Sequence, residues 1–118
     1  MDRAGRHLLA AVATLTLVGL AGCGQDAEQS AGERGERAYR ANCAACHGND
    51  LGGTSLGPTL LGPGPSDLSD AALRDVIRNG VESDGSEFGA MPGNTVLRDA
   101  QVTEIIAFLR SRQAVAGP

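Results

Sequence analysis

Along the 118-residue chain, three stretches repeat apolar side chains at helical spacing, and long irregular segments separate them. The first begins at Ser30-Ala31-Gly32-Glu33, which has the spacing of a capping box: Ser30 accepts from a first-turn amide and Glu33 reaches back. Gly35, Ala38, Tyr39 and Asn42 then recur at three- and four-residue intervals on one side. This helix is predicted to run into the cluster "CAACHG", Cys43 to Gly48, where Gly48 can end it. The next segment, "NDLGGTSLGPTLLGPGPSD", has no lasting period and reads as an irregular loop. Ser69 is the predicted N-cap of "DAALRDVIRNG", with Leu73, Val76 and Ile77 on one face and Gly80 as the stop. A second loop, Val81 to Arg98, contains "FGAMPG". Asp99 is predicted to cap "AQVTEIIAFLRSR", whose Val102, Ile105, Ile106 and Leu109 form an apolar stripe and whose Arg110 and Arg112 complement the helix dipole. No segment alternates long enough to predict a strand, and no internal repeat is visible. The predicted fold class is all-α.

The amino end follows a different pattern. Charged residues Asp2, Arg3, Arg6 and His7 precede an apolar run from Leu8 to Gly22, which is the length of a secretory signal and short for a membrane span of about 20 apolar residues. Export is therefore expected. The run ends "LAGC", Leu20 to Cys23, which resembles the lipobox of bacterial lipoproteins, so residues 1–22 are read as a cleaved signal peptide and Cys23 as the lipidated first residue. An ordinary signal peptide with a chance cysteine, or an uncleaved anchor, are the rival readings. Residues 23–30 are polar and aperiodic and read as a flexible tether, leaving 31–113 as the domain and 114–118 as a tail. The seven residues from Gly24 to Ser30 span at most about 25 Å, so an anchored domain stays close to the membrane.

Composition narrows the picture. Hydrophobic residues make up 42% of the chain and the formal charge is -4, as in a single soluble domain. Tyr39, Phe88 and Phe108 are the only aromatic residues, so a core this small needs something further to hold it together. All ten basic residues are scattered arginines with no run suited to a phosphate backbone, and nucleic acid is not an expected partner. Removal of residues 1–22 leaves one histidine, His47, one methionine, Met91, and the pair Cys43 and Cys46 once Cys23 carries lipid.

Three chemistries compete for that pair. Zinc needs about four protein ligands, or three with an open position, so two cysteines and one histidine would require a carboxylate as well. A thioredoxin-like couple places its CxxC at the head of a helix in a βαβ unit, whereas this CxxC closes a helix. An inert disulfide between Cys43 and Cys46 would close a tiny loop and leave the histidine a coincidence. C-x-x-C-H is the attachment signature of c-type haem. Two thiols add to the two porphyrin vinyl groups, and the following histidine is delivered beneath the iron.

With this motif in view, the chain resembles the class I monohaem c-type cytochromes across Ala31 to Arg112. The matching stretches, in the family's order, are "GERAYRANCAACHG", "LGPTL", "LSDAALRDVIRNG", "GAMPG" and "AQVTEIIAFLRS". The resemblance implies a small cytochrome c-like fold, with about three main helices around one haem c attached through Cys43 and Cys46. It implies His47 and Met91 as axial ligands, and Pro58 as the residue whose carbonyl supports the histidine. It also implies that Gly35 and Tyr39 meet Ile105 and Phe108. Met91 as a core filler and Gly35 as a merely poor helix residue are the bland alternatives. Leu60, Leu73, Ile77 and Leu97 read as core, and Glu82, Asp84 and Glu87 as a solvated face. The function implied is one-electron transfer between redox proteins on the extracytoplasmic face of a bacterial membrane, without enzymatic activity of its own. A haem-based sensor or enzyme with an open iron site is the alternative, and a place as subunit of an oxidoreductase complex is compatible with the carrier role.

Overall fold

The computed structural model describes residues 30–117. The segment read as a signal peptide, Cys23, the residues before Ser30 read as a tether and Pro118 lie outside the described residues. In chain order the elements are α1 (Ala31–Asn42), α2 (Ala44–His47), α3 (Asp70–Asn79), β1 (Gly80–Val81), β2 (Met91–Pro92) and α4 (Asp99–Ala116). The architecture is helical, with α1, α3 and α4 as the three main helices predicted.

Local signals account for the helix starts. Ser30 Oγ accepts from the Glu33 N–H at 3.2 Å and a Glu33 carboxylate oxygen accepts from the Ser30 N–H at 2.8 Å, completing the capping box. Ser69 Oγ accepts from the Ala72 N–H at 3.1 Å at the head of α3. Several expectations change. The first helix does not run through the cysteine cluster: Cys43, with φ -124°, interrupts it, and a separate turn, α2, begins at Ala44. The N-cap of α4 is Arg98 rather than Asp99; Gln101 Oε1 accepts from the Arg98 N–H at 3.0 Å, and Asp99 lies in the first turn, where its charge suits the helix dipole. A two-residue antiparallel ladder, Gly80 opposite Pro92 and Val81 opposite Met91, forms where no strand was predicted. It is too short to leave a periodic trace in the sequence.

Helix α4 continues to Ala116, so neither Arg110 nor Arg112 lies in its last turn. Arg110 instead ties the preceding loop to α4: its guanidinium donates to the carbonyls of Ser66 and Leu68 and pairs with the Asp70 carboxylate at 2.9 Å.

The core forms where α1 crosses α4. Gly35 is buried there, and a Cβ at this position would overlap the Glu104 carbonyl and lie 3.0 Å from Phe108 Cβ. Tyr39 and Phe108 pack with ring centroids 5.4 Å apart and planes tilted by 47°, a geometry that aromatic pairs favour. Val102, Ile105, Ile106 and Leu109 are all buried in the same cluster, as the stripe on α4 predicted. Leu73, Ile77 and Leu97 join it and Leu60 packs half-buried against it. Each fully buried aliphatic side chain contributes about 1.5–3 kcal/mol. This block fixes the end of α1 and the end of α3 relative to each other, and those two ends carry the site.

Candidate functional site

The CAACH turn projects His47 inward: the residue is 7% exposed, and its Nδ1 lies 2.9 Å from the Pro58 carbonyl oxygen. A carbonyl only accepts, so Nδ1 carries the hydrogen, and in the neutral ring Nε2 keeps its lone pair for a ligand. The loop that supplies Pro58 is held by the carbonyls that a short helix leaves unsatisfied at its end. Thr54 Oγ1 donates to the Cys46 carbonyl at 2.6 Å, the Gly53 N–H to His47 O at 2.9 Å, and the Tyr39 hydroxyl to Gly48 O at 2.7 Å. Leu51, fully buried with φ 65°, and the Leu60 N–H to Leu51 O bond at 2.8 Å close the loop over the motif.

Met91 is positioned by the ladder. Gly80 has φ 78°, and a Cβ there would run into the Met91 carbonyl; a Cβ on Gly93 would run into the Arg78 carbonyl. The Met91 loop therefore lies backbone to backbone on the end of α3. The Asn94 N–H donates to Ile77 O at 2.8 Å, and Asn94 Oδ1 accepts from the N–H groups of Val96 and Leu97, both at 3.1 Å. Arg78 adds a fork: Nη1 donates to the carbonyls of Asn94, at 3.3 Å, and Leu97, while Nη2 pairs with the Asp99 carboxylate at 2.5 Å. Asn94 Nδ2 also approaches Asn42 Oδ1, at 3.4 Å, beside Cys43.

Two cavities open between these halves. One, of about 150 Å³, is lined by Cys43, Cys46, His47, Ile77, Met91 and Leu97 among others. The second, of about 70 Å³, is lined by residues including Cys46, His47, Leu56, Pro58, Phe88 and Met91. Cys46, His47 and Met91 belong to both. Cys43 is half-buried and Cys46 exposed, both as free thiols. Burial, with Cys46 adding to it, pushes the Cys43 thiol up to about 11, so it is protonated at neutral pH and poorly suited to thiolate redox chemistry. Burial, with Cys43 and Asp50 adding, pushes the Tyr39 phenol up to about 12.

The donor set fits a covalently attached haem. Two thiols stand at the rim, an oriented imidazole and a thioether line the same apolar-walled space, and the imidazole has the hydrogen-bonded partner that ligating histidines carry. Zinc is a poorer match, since among the described residues no group of three or more His, Cys, Asp and Glu side chains is placed to hold a metal ion. Arg78 and Asn94 were not found from the sequence. In "VIRNG" the arginine reads as a charge near a helix end, and only the tertiary fold shows which carbonyls it meets.

Comparison with known proteins agrees with this geometry. Residues 30–109 match the family described as cytochrome c oxidase, cbb3-type, subunit III. The chain is 36% identical over 95 residues to one of the subunits of nicotinate dehydrogenase from Pseudomonas putida; the match covers 71% of this chain and 8% of that protein. Its fold matches the crystal structure of the c-type cytochrome XoxG from Methylobacterium extorquens AM1 with a TM-score of 0.61 and 25% identity, over 75% of this chain and 54% of that one. The chain thus spans only a small part of the first of these relatives and about half of the second. A CxxCH motif at the end of α1, a helical fold shared with a c-type cytochrome and a family match over residues 30–109 agree, and the chain belongs to the cytochrome c family described as cbb3-type subunit III.

Proposed function

We propose that the protein is a one-electron carrier whose single haem c is bound through Cys43 and Cys46, with His47 and Met91 as axial ligands. The observation that carries this reading is that His47 and Met91 line the same two cavities, with Cys46 on both and Cys43 on the larger. When bound, the haem supplies the one-electron couple. The chain's own residues supply the rest. Pro58 O accepts the Nδ1 hydrogen, fixing the tautomer and ring orientation of His47 and raising its basicity as a ligand. Met91 would offer the iron a soft thioether, which would favour the reduced state and keep water and small molecules off it. Buried Leu73, Ile77 and Leu97 keep the surroundings apolar.

The carrier works outside the cytoplasm, held at a bacterial membrane by lipid on Cys23. The apolar run ending "LAGC" supports the anchor. Among the described residues no helix is long and apolar enough to cross a membrane. Its partners are redox proteins, and the likeness to a segment of a protein named as part of a dehydrogenase supports an oxidoreductase as donor or acceptor. The test is the optical spectrum of the holoprotein together with carbon monoxide binding. Low-spin iron with a thioether-to-iron band and slow carbon monoxide binding is expected. Rapid binding without that band would overturn the carrier reading in favour of an open-iron sensor or enzyme.

A further inference from the structure

The Met91 loop is fastened to α3 by one side chain that spans both the loop and the start of α4. Arg78 lies in the last turn of α3 and its side chain is 23% exposed. Its Nη1 donates to the carbonyls of Asn94 and Leu97, three and six residues beyond Met91, and its Nη2 reaches Asp99 Oδ1. The ladder holds the other end of the loop, where Val81 pairs with Met91 and Gly80 with Pro92. Between the ladder and the fork, the Asn94 N–H to Ile77 O bond adds one more tie to α3. Loss of a thioether from its position requires this segment to swing away from α3. The backbone ties of the ladder and of the Asn94 N–H survive any side-chain substitution, whereas the ties on the carbonyls of Asn94 and Leu97 depend on the guanidinium.

We infer that Arg78 is a positioning residue for Met91: its fork onto Asn94 O and Leu97 O holds the ligand loop shut and sets how readily Met91 leaves. The inference rests on the proposed ligation by Met91. Arg78 is suited to this because a planar guanidinium presents several donors in a fixed fork, and hydrogen bonds from a charged donor are about twice as strong as neutral ones. A lysine keeps the charge but offers a point donor on a flexible stem.

The experiment is displacement of the thioether by imidazole in the ferric holoprotein, followed through the thioether-to-iron band, for wild type, Arg78→Ala, Arg78→Gln and Arg78→Lys. Two controls accompany them. Asp99→Asn weakens the ion pair and leaves both carbonyl bonds, and Gly35→Ala destabilises the fold at the α1–α4 crossing, away from the loop. Arg78→Ala and Arg78→Gln should be displaced roughly tenfold to a hundredfold faster, the scale of losing hydrogen bonds from a charged donor. Arg78→Lys should recover part of the loss, and both controls should behave as wild type. If Arg78→Ala does not fold, the glutamine and lysine variants carry the comparison. Equal rates in all variants, with the band present in wild type, would overturn the role of Arg78 and leave Met91 as a ligand. Faster displacement in Gly35→Ala as well would reduce Arg78 to a general stabiliser and also overturn it. Absence of the band in wild type would remove Met91 ligation itself, and this inference with it.

Discussion

Replacing Gly35 by alanine tests the crossing that holds the domain together. Taken alone, the change favours α1, because alanine exceeds glycine in a helix interior by about 1 kcal/mol. The structure opposes it. The added methyl would overlap the Glu104 carbonyl and sit 3.0 Å from Phe108 Cβ, so it faces backbone on one side and the root of a buried side chain on the other. Neither can rotate out of the way. Overpacking costs about 1–3 kcal/mol, and a clash with rigid atoms belongs at the upper end, so a net loss of about 2 kcal/mol is expected. In a domain of this size about 1 kcal/mol shifts the melting temperature by 4–8 °C, which gives a fall of about 10 °C. Gly32→Ala is the internal control: it lies in the same helix, and the nearest atom to its Cβ is Ser30 Oγ at 3.7 Å, so it should be neutral or stabilising by about 0.5 kcal/mol. Thermal melts of both holoproteins, followed by circular dichroism, decide the matter. If Gly35→Ala melts with Gly32→Ala or above wild type, the crossing is not limited by close approach and the reasoning is wrong.

Further outcomes follow from the site. Cys43→Ser or Cys46→Ser, made with a haem-attachment system, should lose most of its haem on denaturation, and a wild-type mass equal to the bare polypeptide would refute covalent attachment. In Met91→Ala the midpoint potential should fall by several tenfold steps of about 59 mV each, with helical signal retained; an unchanged potential would exclude Met91 from the iron. The Tyr39 phenol has its folded value raised from 10.0 to about 12, so the folded state keeps the proton longer than the unfolded chain. Its contribution is complete below pH 10 and is lost as pH rises through 12, a change on the order of 2 kcal/mol. Denaturant midpoints of wild type should show this loss relative to Tyr39→Phe, and parallel curves would refute it. Cys23→Ser should release the protein from membranes or block its processing, and unchanged membrane attachment would count against lipidation.

Features decided within one helical turn could be read from the sequence. Ser30 with Glu33, and Ser69 before its apolar face, start helices through contacts three residues away, and the α4 stripe reached the core as its spacing required. Gly35 and Tyr39 could be matched to partners on α4 only through the family resemblance, because nothing local connects residues so far apart. The break at Cys43 was hidden, since the apolar side of α1 continues in register up to the cysteines. The position of Arg98 as N-cap was hidden for another reason: its side chain has no acceptor, and the tie comes from Gln101 reaching back to its backbone. The ladder beside Met91 arises from two glycines that let backbones meet, which is a tertiary event with no periodic signature. The CAACH cluster was legible as a motif, whereas the fork of Arg78 is set only by the tertiary fold.

The α1–α4 crossing joins the two ends of the domain. Arg34 on α1 pairs with Glu104 on α4 across 70 residues of chain. Contacts of such separation raise contact order and form late, because loop closure precedes any reward from packing. On a chain delivered from its amino end, α1 and the cysteine turn emerge long before the helix they pack against. During that interval Tyr39 has no Phe108 beside it and the turn remains open to solvent and to other molecules. The order of synthesis therefore gives a period in which the motif is accessible, and arrival of the last helix closes it.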